Sequence, residues 1–190
     1  MTKPRGGISL NAEREAHPSR YVDVSNGDIK PIDLVAKRGN SRLPITLIPS
    51  TRAAIAAEKN GPAETDLVIG LNYNLYEGAF TQLPDFSKIK PVQSGVAQRL
   101  DLDSMRDGRE DGFAIVAEGY LKVDTRALYR LTITSDDGSR VFVHGNLAID
   151  HDGNHPANPA SKRVRLSAGL HPIRIEYFQG LGEQYLEFKV

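Results

Sequence analysis

The chain has 190 residues, and its 24 Lys and Arg residues are balanced by 24 Asp and Glu residues, so the formal net charge is zero. This balance argues against nucleic acid as the main partner, because phosphate binding requires a clustered excess of positive charge. No apolar run approaches the roughly 20 residues that span a bilayer, so we expect no membrane span. The absence of cysteine excludes a disulfide scaffold, a cysteine-ligated zinc site and a thiol nucleophile.

The first third of the chain is irregular, and turn signals such as Asn26-Gly27 separate its candidate strands. These candidates are residues 8–12, 20–24, 45–48 and 51–57. The alanine-rich segment 51–57 is also compatible with a short helix, since Ala favours that state. Pro49 before it and Gly61 after it leave room only for a short element, and we predict a strand. A boundary at residues 65–70 predicts two domains, a small Ig-like β domain over 1–68 and a larger domain over 69–190.

From Gly112 onward the apolar residues follow a period close to two, which is typical of strands with one buried and one solvated face. Turn signals separate the strands at Asp137-Gly138, Gly145-Asn146, Asp152-Gly153 and Ala168-Gly169. The predicted strands are residues 113–117, 119–123, 129–134, 140–144, 147–150, 162–166, 171–178 and 185–190. Short strands at this spacing predict an all-β fold, with an antiparallel β-sandwich over the larger domain.

Residues 69–190 contain several landmarks in a fixed order. They run from 70–80 (Gly-Leu-Asn-Tyr-Asn-Leu-Tyr-Glu-Gly-Ala-Phe) through 118–123 and 129–145 to 149–155 and 166–178. In this order and spacing the region resembles the PA14 family, the β-sandwich module named after the protective antigen of a bacterial toxin. The resemblance implies a two-layered β scaffold, and we expect its acidic loop tips to be exposed.

The first segment resembles, more loosely, the small β domain that closes many chitobiase-type β-hexosaminidases. Residues 20–24 (Arg-Tyr-Val-Asp-Val) match a characteristic strand, and residues 44–47 and 50–57 match its closing strands, although 25–28 (Ser-Asn-Gly-Asp) departs from the usual turn. The order of the two modules resembles the C-terminal tail of family-twenty glycoside hydrolases, which act on N-acetylhexosaminides. The resemblance implies an accessory region rather than the catalytic barrel.

The segment 135–138 (Ser-Asp-Asp-Gly) lies between two predicted strands and places two carboxylates side by side. Such a pair repels itself unless a positive group offsets it, and Ca²⁺ prefers oxygen ligands of this kind. In the calcium-dependent adhesins that the family includes, the matching Asp-Asp pair binds Ca²⁺, so the resemblance implies a calcium site at Asp136 and Asp137. Those adhesins also take an Asn from the last loop, where this chain offers only Glu183 or Gln184. The favoured alternative is a tight turn without a ligand, in which Gly138 supplies a positive φ.

A second polar segment, 150–155 (Asp-His-Asp-Gly-Asn-His), is neither an EF-hand nor helical, because its Gly comes fourth and Pro156 follows. Zinc binding by its two His residues is an alternative, but a polar loop is favoured. The resemblance places this loop near the Asp-Asp turn. We therefore predict a carbohydrate-binding concavity, and its predicted members are Asp136, Asp137, Asp152, Asn154, His155, Glu183 and Tyr185.

No motif in the chain specifies catalysis. A glycosidase needs two carboxylates on opposite sides of the scissile bond, and nothing in the sequence identifies such a pair. We therefore predict no enzyme activity and no required cofactor. The leading hypothesis is an accessory module of a secreted, periplasmic or cell-surface glycoside hydrolase related to bacterial β-N-acetylhexosaminidases, whose partners are a glycan and the parent catalytic domain. The alternatives are a structural spacer without a ligand and a calcium-dependent glycan-binding adhesin.

Overall fold

The computed structural model describes residues 54–63 and 66–190 and, before them, the course of four short strands. These are β1 (Val22–Asp23), β2 (Ile29–Lys30), β3 (Leu34–Ala36) and β4 (Thr46–Leu47). The predicted strand at 8–12 lies outside the described residues. Of the predicted strand at 51–57, the described part forms one isolated bridge, between Ile55 and Leu166, so the strand prediction is wrong there.

The rest of the chain forms ten strands and one short helix. They are β5 (Val68–Ile69), β6 (Leu71–Glu77), β7 (Gln93–Ala97), α1 (Leu102–Met105), β8 (Phe113–Val123), β9 (Ala127–Asp136), β10 (Ser139–Val143), β11 (Asn146–His151), β12 (Asn158–Leu166), β13 (Gly169–Gln179) and β14 (Tyr185–Lys189). Each strand predicted from Gly112 onward is present, and the two predicted at 113–117 and 119–123 are the single strand β8. Within the described part of the chain, no helix is long and apolar enough to cross a membrane.

Strands β1 and β2 form a separate antiparallel pair, and the other strands form two facing sheets. The larger sheet has the order β4-β11-β10-β13-β8-β3-β5, with β6 paired to β8 and β7 paired to β6. The smaller sheet has the order β12-β9-β14. The pairs that join β6 to β14 into these sheets are antiparallel, whereas β4 lies parallel to β11. The all-β fold and the antiparallel sandwich are therefore confirmed.

The main core lies between the two sheets and follows from the alternation of side chains along each strand. In β9, Leu131 and Ile133 are fully buried, whereas Arg130, which points to the opposite face of the same strand, is exposed. The same cluster takes Ile173 and Ile175 from β13 of the larger sheet. Burying such side chains contributes about 1.5–3 kcal/mol each to stability, so the two-layer arrangement is what the alternating pattern selects.

A second apolar cluster covers the outer face of the larger sheet. Strand β8 is buried on both faces: Phe113 and Ile115 point into the main core, while Ala114 and Val116 point outward. The outward pair packs beneath the connection between β6 and β7, residues 78–92. The members of this cluster are Tyr76, Leu83, Phe86, Ala114, Val116 and Phe178.

The acidic segment 101–112 is not wholly solvated. It contains α1, whose first turn is capped by the Asp101 carboxylate accepting a hydrogen bond from Asp103 N at 3.2 Å. Met105, at the end of this helix, is fully buried in the main core. This buried side chain packs the otherwise charged segment against the main core.

Strands β3 and β4 connect the first third of the chain to the larger sheet. Strand β3 pairs with the end of β8, at Leu121 and Tyr120, and β4 pairs with the start of β11. These contacts place two short strands of the N-terminal third within the larger sheet. The division of the chain at residue 68 stays a prediction.

Candidate functional site

One end of the sandwich gathers three segments of the predicted site. Strand β9 ends at Asp136 and β10 begins at Ser139, so the turn between them carries Asp137 and Gly138. The β11–β12 loop and the β13–β14 loop begin and end at the same end of the sheets. We call these segments, residues 136–138, 152–157 and 180–184, the acidic rim.

Asp137 holds two loops of the acidic rim together. Its Oδ2 accepts a hydrogen bond from Gly180 N at 2.8 Å, and its Oδ1 accepts one from His155 N at 3.3 Å. Only 6% of the residue is exposed, and its peptide bond with Asp136 is cis. The expectation that both acidic tips are exposed is therefore wrong for Asp137. The backbone N–H groups of Gly180 and His155 take the place of the water that this buried carboxylate has lost.

Asp136 has a different environment although it is the neighbouring residue. It is half-buried, and the pKa of its carboxyl is raised, chiefly by desolvation and then by the charge of Asp137, with Glu183 adding to the effect. A backbone hydrogen bond at Ala157 and the nearby His155 act in the opposite direction. Among the described residues, no Lys or Arg forms an ion pair with either carboxylate. The rim therefore holds adjacent negative charges that no described cationic side chain neutralises.

Oxygen atoms from three segments surround Gly180. A Cβ atom placed on this glycine would lie 3.1 Å from Asp137 Oδ2 and 3.1 Å from the main-chain oxygen of Phe80. It would also lie 3.9 Å from the side-chain oxygen of Asn154, a residue that is exposed to solvent. This space fits the donor chemistry of Ca²⁺, which takes carboxylate, amide and main-chain oxygens together with water. Within residues 54–63 and 66–190, no group of three His, Asp or Glu side chains is placed to hold a metal ion, so the amide and main-chain oxygens are essential to this fit.

The β11–β12 loop brings the side-chain oxygen of Asn154 close to Gly180. The resemblance implied an Asn in the β13–β14 loop, where this chain has Glu183 and Gln184 instead. Phe80 O belongs to the β6–β7 connection and was not predicted at all. The oxygens of Asn154 and Phe80 come from parts of the chain far from the Asp-Asp turn in sequence. The only sequence signal for either was the family resemblance, which implied that the loop of Asn154 lies near Asp137.

Asp152, the first residue of the β11–β12 segment of the rim, is engaged by the protein itself. Its Oδ1 accepts hydrogen bonds from Leu83 N and Gly153 N, both at 2.8 Å. Its Oδ2 forms an ion pair with Arg140 Nη2 at 2.8 Å, and Arg140 Nε also reaches Asp150 Oδ1 at 3.0 Å. The carboxylate that was predicted as a sugar contact is thus bound to three groups of this chain.

His155 is likewise surrounded by polar groups of its own loop. Its Nε2 lies 3.1 Å from the main-chain oxygen of His151, and its Nδ1 lies 3.1 Å from that of Pro156. The two imidazole rings of His151 and His155 stack with their centroids 4.1 Å apart. These contacts describe an ordered polar loop that leads from Asp152 to the start of β12.

The β13–β14 loop adds exposed apolar surface. Leu181 is 84% exposed at its tip, and Tyr185, at the start of β14, is 44% exposed. Tyr185 is the register partner of Asp136, so the two residues share the outer face of the smaller sheet. Glu183 is exposed, and its main-chain oxygen accepts a hydrogen bond from Gln179 Nε2 at 2.9 Å. Leu181 was not predicted, because nothing but its position in the loop distinguishes it from a core leucine.

Gly138 is required at the turn for a reason other than the predicted one. Its φ angle lies outside the left-handed region, so the expectation of a positive φ is wrong. Instead, a Cβ atom on it would lie 2.5 Å from Phe178 Cε1 and 2.7 Å from Gly153 N. The turn can therefore approach Phe178 and the β11–β12 loop this closely only because residue 138 has no side chain.

Comparison with known proteins agrees with this architecture. A family model described as the PA14 domain matches residues 95–190, half of the chain. No curated protein matches the sequence. The fold is similar to the PA14 domain of the antifreeze protein MpAFP, with a TM-score of 0.54 and 16% identity, over 70% of this chain and 86% of that one.

Two further structures share the fold. One is a PA14 sugar-binding domain from an RTX adhesin, with a TM-score of 0.53 and 18% identity, over 64% of this chain and 88% of that one. The other is an anti-sigma factor domain-containing protein, with a TM-score of 0.53 and 22% identity, over 64% of this chain. The match spans 42% of the length of that anti-sigma protein. At these identities the likeness shows the fold alone.

Proposed function

This chain belongs to the PA14 domain family, and from that premise we propose that it is a non-catalytic module that binds glycans at the acidic rim with the help of Ca²⁺. The observation that carries the proposal is the uncompensated pair Asp136 and Asp137 beside the exposed oxygen of Asn154. The RTX adhesin domain of the same fold is described as sugar-binding, which supports the proposal.

The charges of the rim explain why a cation would bind there. Asp136 is partly desolvated beside Asp137, so its ionised form is held at an energetic disadvantage in the folded protein. A divalent ion would remove this disadvantage, and the groups that would hold it are the Asp136 carboxylate, Asp137 Oδ2, the Asn154 oxygen and the main-chain oxygen of Phe80. When bound, Ca²⁺ supplies open coordination positions that sugar hydroxyl oxygens can fill.

The residues around the carboxylates suit the rest of a sugar ring. Tyr185 and Leu181 present exposed apolar surface near the acidic turn, and sugar rings have apolar C–H faces that pack on such side chains. Exposed Asn154 and Glu183 offer hydrogen-bonding groups at the same edge. We propose that these four side chains orient the glycan, while the carboxylates hold the ion.

We make a second proposal, about the larger protein to which this module would belong, and it rests on the first third of the chain. The resemblance of residues 20–57 to a β-hexosaminidase tail supports an accessory module in a secreted glycoside hydrolase, where weak glycan binding keeps the catalytic domain near its substrate. Most of those residues lie outside the described part of the structure. The glycan-binding proposal therefore does not depend on this parentage.

Two conservative variants test the calcium site, because the two carboxylates have different structural roles. Asp136→Asn is expected to keep or raise the melting temperature in excess chelator, since it removes a desolvated charge next to Asp137. Asp137→Asn is expected to lower it, since two loop amides lose part of their shared acceptor. Both variants should lose the rise in melting temperature that Ca²⁺ produces in the wild type.

The expected rise in the wild type has a definite size. Ca²⁺ at 100 times its dissociation constant adds about 2.7 kcal/mol to stability. Each kcal/mol corresponds to roughly 2–4 °C for a chain of this length, so thermal unfolding should shift by roughly 5–11 °C. Glycan-array binding, measured with Ca²⁺ and with chelator, then tests the sugar. If Ca²⁺ does not change the melting temperature and no glycan on the array binds, the proposed function is wrong.

A structural module without a ligand is the second candidate. It is favoured by one observation, that both oxygens of Asp137 already accept backbone hydrogen bonds and lock two loops. This candidate predicts the same fall in stability for Asp137→Asn, but no response to Ca²⁺ in any form of the protein. The wild-type response to Ca²⁺ therefore separates the two candidates.

A further inference from the structure

We propose that Asp152 is a positioning residue that fixes the geometry of the acidic rim without touching the ligand; the inference rests on the proposed function for its effect on binding. Three groups from three segments converge on its carboxylate: Leu83 N, Gly153 N and Arg140 Nη2, each at 2.8 Å. A carboxylate has about four acceptor positions. Asp152 therefore has little capacity left for a sugar, and its contacts join the β6–β7 connection, β10 and the β11–β12 loop.

The joint formed by Asp152 lies directly against the acidic turn. A Cβ atom on Gly138 would lie 3.0 Å from Asp152 Oδ1 and 2.7 Å from Gly153 N, so these groups pack on the turn that follows Asp137. Two residues beyond Asp152, Asn154 directs its oxygen toward Gly180, and His155 N donates to Asp137. A shift of Asp152 therefore moves both Asn154 and the amide that holds Asp137.

The connection from β6 to β7 is fixed by the same carboxylate. Leu83 N donates to Asp152, and the buried Leu83 side chain belongs to the cluster on the outer face of the larger sheet. Three residues earlier, Phe80 supplies the main-chain oxygen beside Gly180. Asp152 thus sets the distance between the two loops that bring Asn154 and Phe80 O to the rim.

The contacts of Asp152 lie at the rim rather than in the apolar core. Neither Asp152 nor its partners Arg140 and Gly153 belong to either apolar cluster, and the side chains of Arg140 and Asp152 are 27% and 16% exposed. The loss of Asp152 should therefore leave the sandwich folded while the rim loses its alignment.

Asp150→Ala is the matched control for Asp152→Ala. Both variants remove one negative charge and one partner of Arg140, but Asp150 accepts no backbone hydrogen bond from another loop in the contacts described. We expect Asp152→Ala to weaken Ca²⁺ binding by tenfold or more in calorimetry, and Asp150→Ala to weaken it by less than threefold. Equal weakening in both variants would mean that only charge matters and would overturn the proposal.

Amide hydrogen exchange supplies a readout that does not require a ligand. In the Ca²⁺-free protein, Asp152→Ala should speed the exchange of His155 N and Gly180 N, both of which donate to Asp137, at least tenfold relative to Asp150→Ala. This outcome would support the positioning role even if the wild type bound no Ca²⁺, in which case only the proposed function would fail.

Two results would overturn the positioning role. One is unchanged amide exchange. The other is a loss of glycan binding with Ca²⁺ affinity intact, which would make Asp152 a direct sugar contact. If Asp152→Ala does not fold, Asp152→Asn, which keeps the acceptor for Leu83, replaces it in both measurements.

Discussion

Two histidines at the end of the sandwich opposite the acidic rim form a hydrogen-bonded pair. His171 is fully buried, and its Nε2 lies 2.9 Å from the main-chain oxygen of Ser167, which can only accept. His171 Nε2 must therefore carry a hydrogen, which leaves its Nδ1 as the acceptor for His144 Nε2–H at 2.9 Å. Protonation of both rings would set two donors against each other.

The pair predicts a loss of stability in mild acid. Burial lowers the pKa of both rings, that of His144 from 6.5 to about 4, against the opposing effect of nearby Glu58. A lowered folded-state pKa means that the unfolded chain takes up protons first, so stability is full above pH 6.5 and falls as the pH drops toward 4. Urea unfolding at pH 7 and pH 5 measures this fall.

His144→Asn identifies the group responsible for the pH effect. Asn tolerates the positive φ of 51° at this position, and its amide can still donate to His171. The variant should reduce the pH dependence of the free energy of unfolding, since one titrating ring is gone. A variant whose pH dependence equals that of the wild type would contradict the assignment.

The neighbours Asp136 and Asp137 show what the sequence could and could not predict at this scale. Two adjacent carboxylates between strands predicted mutual repulsion, and the raised pKa of Asp136 shows it. Their unequal burial was not predicted, because it depends on the loops that fold over Asp137. A residue's type is local information, whereas its solvation is decided by segments far away in the sequence.

At the scale of elements, strands with strict alternation were predictable and the others were not. Strands β9 and β13 have one face that packs on the other sheet, and this face is visible as a period of two. Strand β7 was missed because its outward residues Ser94 and Val96 are exposed and its pairing to β6 is what defines it. Helix α1 was missed because only Leu102 and Met105 mark its apolar side among acidic residues.

The β6–β7 connection is an element whose packing can be tested by one substitution. Phe86 is buried, its ring lies 4.9 Å from that of Tyr76, and the guanidinium of Arg174 lies 5.8 Å above it. Phe86→Ala should lower the free energy of unfolding by about 3–5 kcal/mol, as expected for a buried phenylalanine. The exposed Val92→Ala in the same connection should change it by less than about 0.5 kcal/mol. Urea denaturation of both variants makes the comparison, and equal small effects would mean that the connection is not packed as described.

At the scale of the whole molecule, the acidic rim is an assembly of three segments on a scaffold that the sequence specifies well. The alternation in β8 to β14 predicted the strands, and the family resemblance implied that the Asp-Asp turn and the 150–155 segment lie close together, as the hydrogen bond from His155 N to Asp137 shows. The oxygens of Asn154 and Phe80 beside Gly180 were not predictable, because their arrangement depends on Asp152 and Gly138 holding the loops at close approach. The alternating pattern of apolar residues therefore predicts the scaffold, whereas the arrangement of the site depends on individual contacts that no pattern reveals.

The core and the acidic rim are joined through Tyr177. Its ring is fully buried against Phe113, with centroids 6.0 Å apart, while its hydroxyl lies 2.5 Å from Asp136 O and 2.8 Å from Gln179 Oε1. Gln179 in turn donates to Glu183 O at 2.9 Å. A single hydroxyl therefore connects the sheet interior to both the acidic turn and the β13–β14 loop.

Tyr177→Phe and Tyr129→Phe form a matched pair that tests this connection. Tyr129 is also buried, but its hydroxyl donates to Thr125 O at the opposite end of β9. Each variant leaves a buried acceptor without its partner, which should lower the free energy of unfolding by about 1–3 kcal/mol. Only Tyr177→Phe should also speed amide exchange at Gly180 and weaken Ca²⁺ binding, because only its hydroxyl holds the rim. The hydroxyl of Tyr129 lies at the end of β9 away from the rim. If both variants speed amide exchange at Gly180 and weaken Ca²⁺ binding equally, the rim therefore responds to the stability of the whole sandwich rather than to Tyr177.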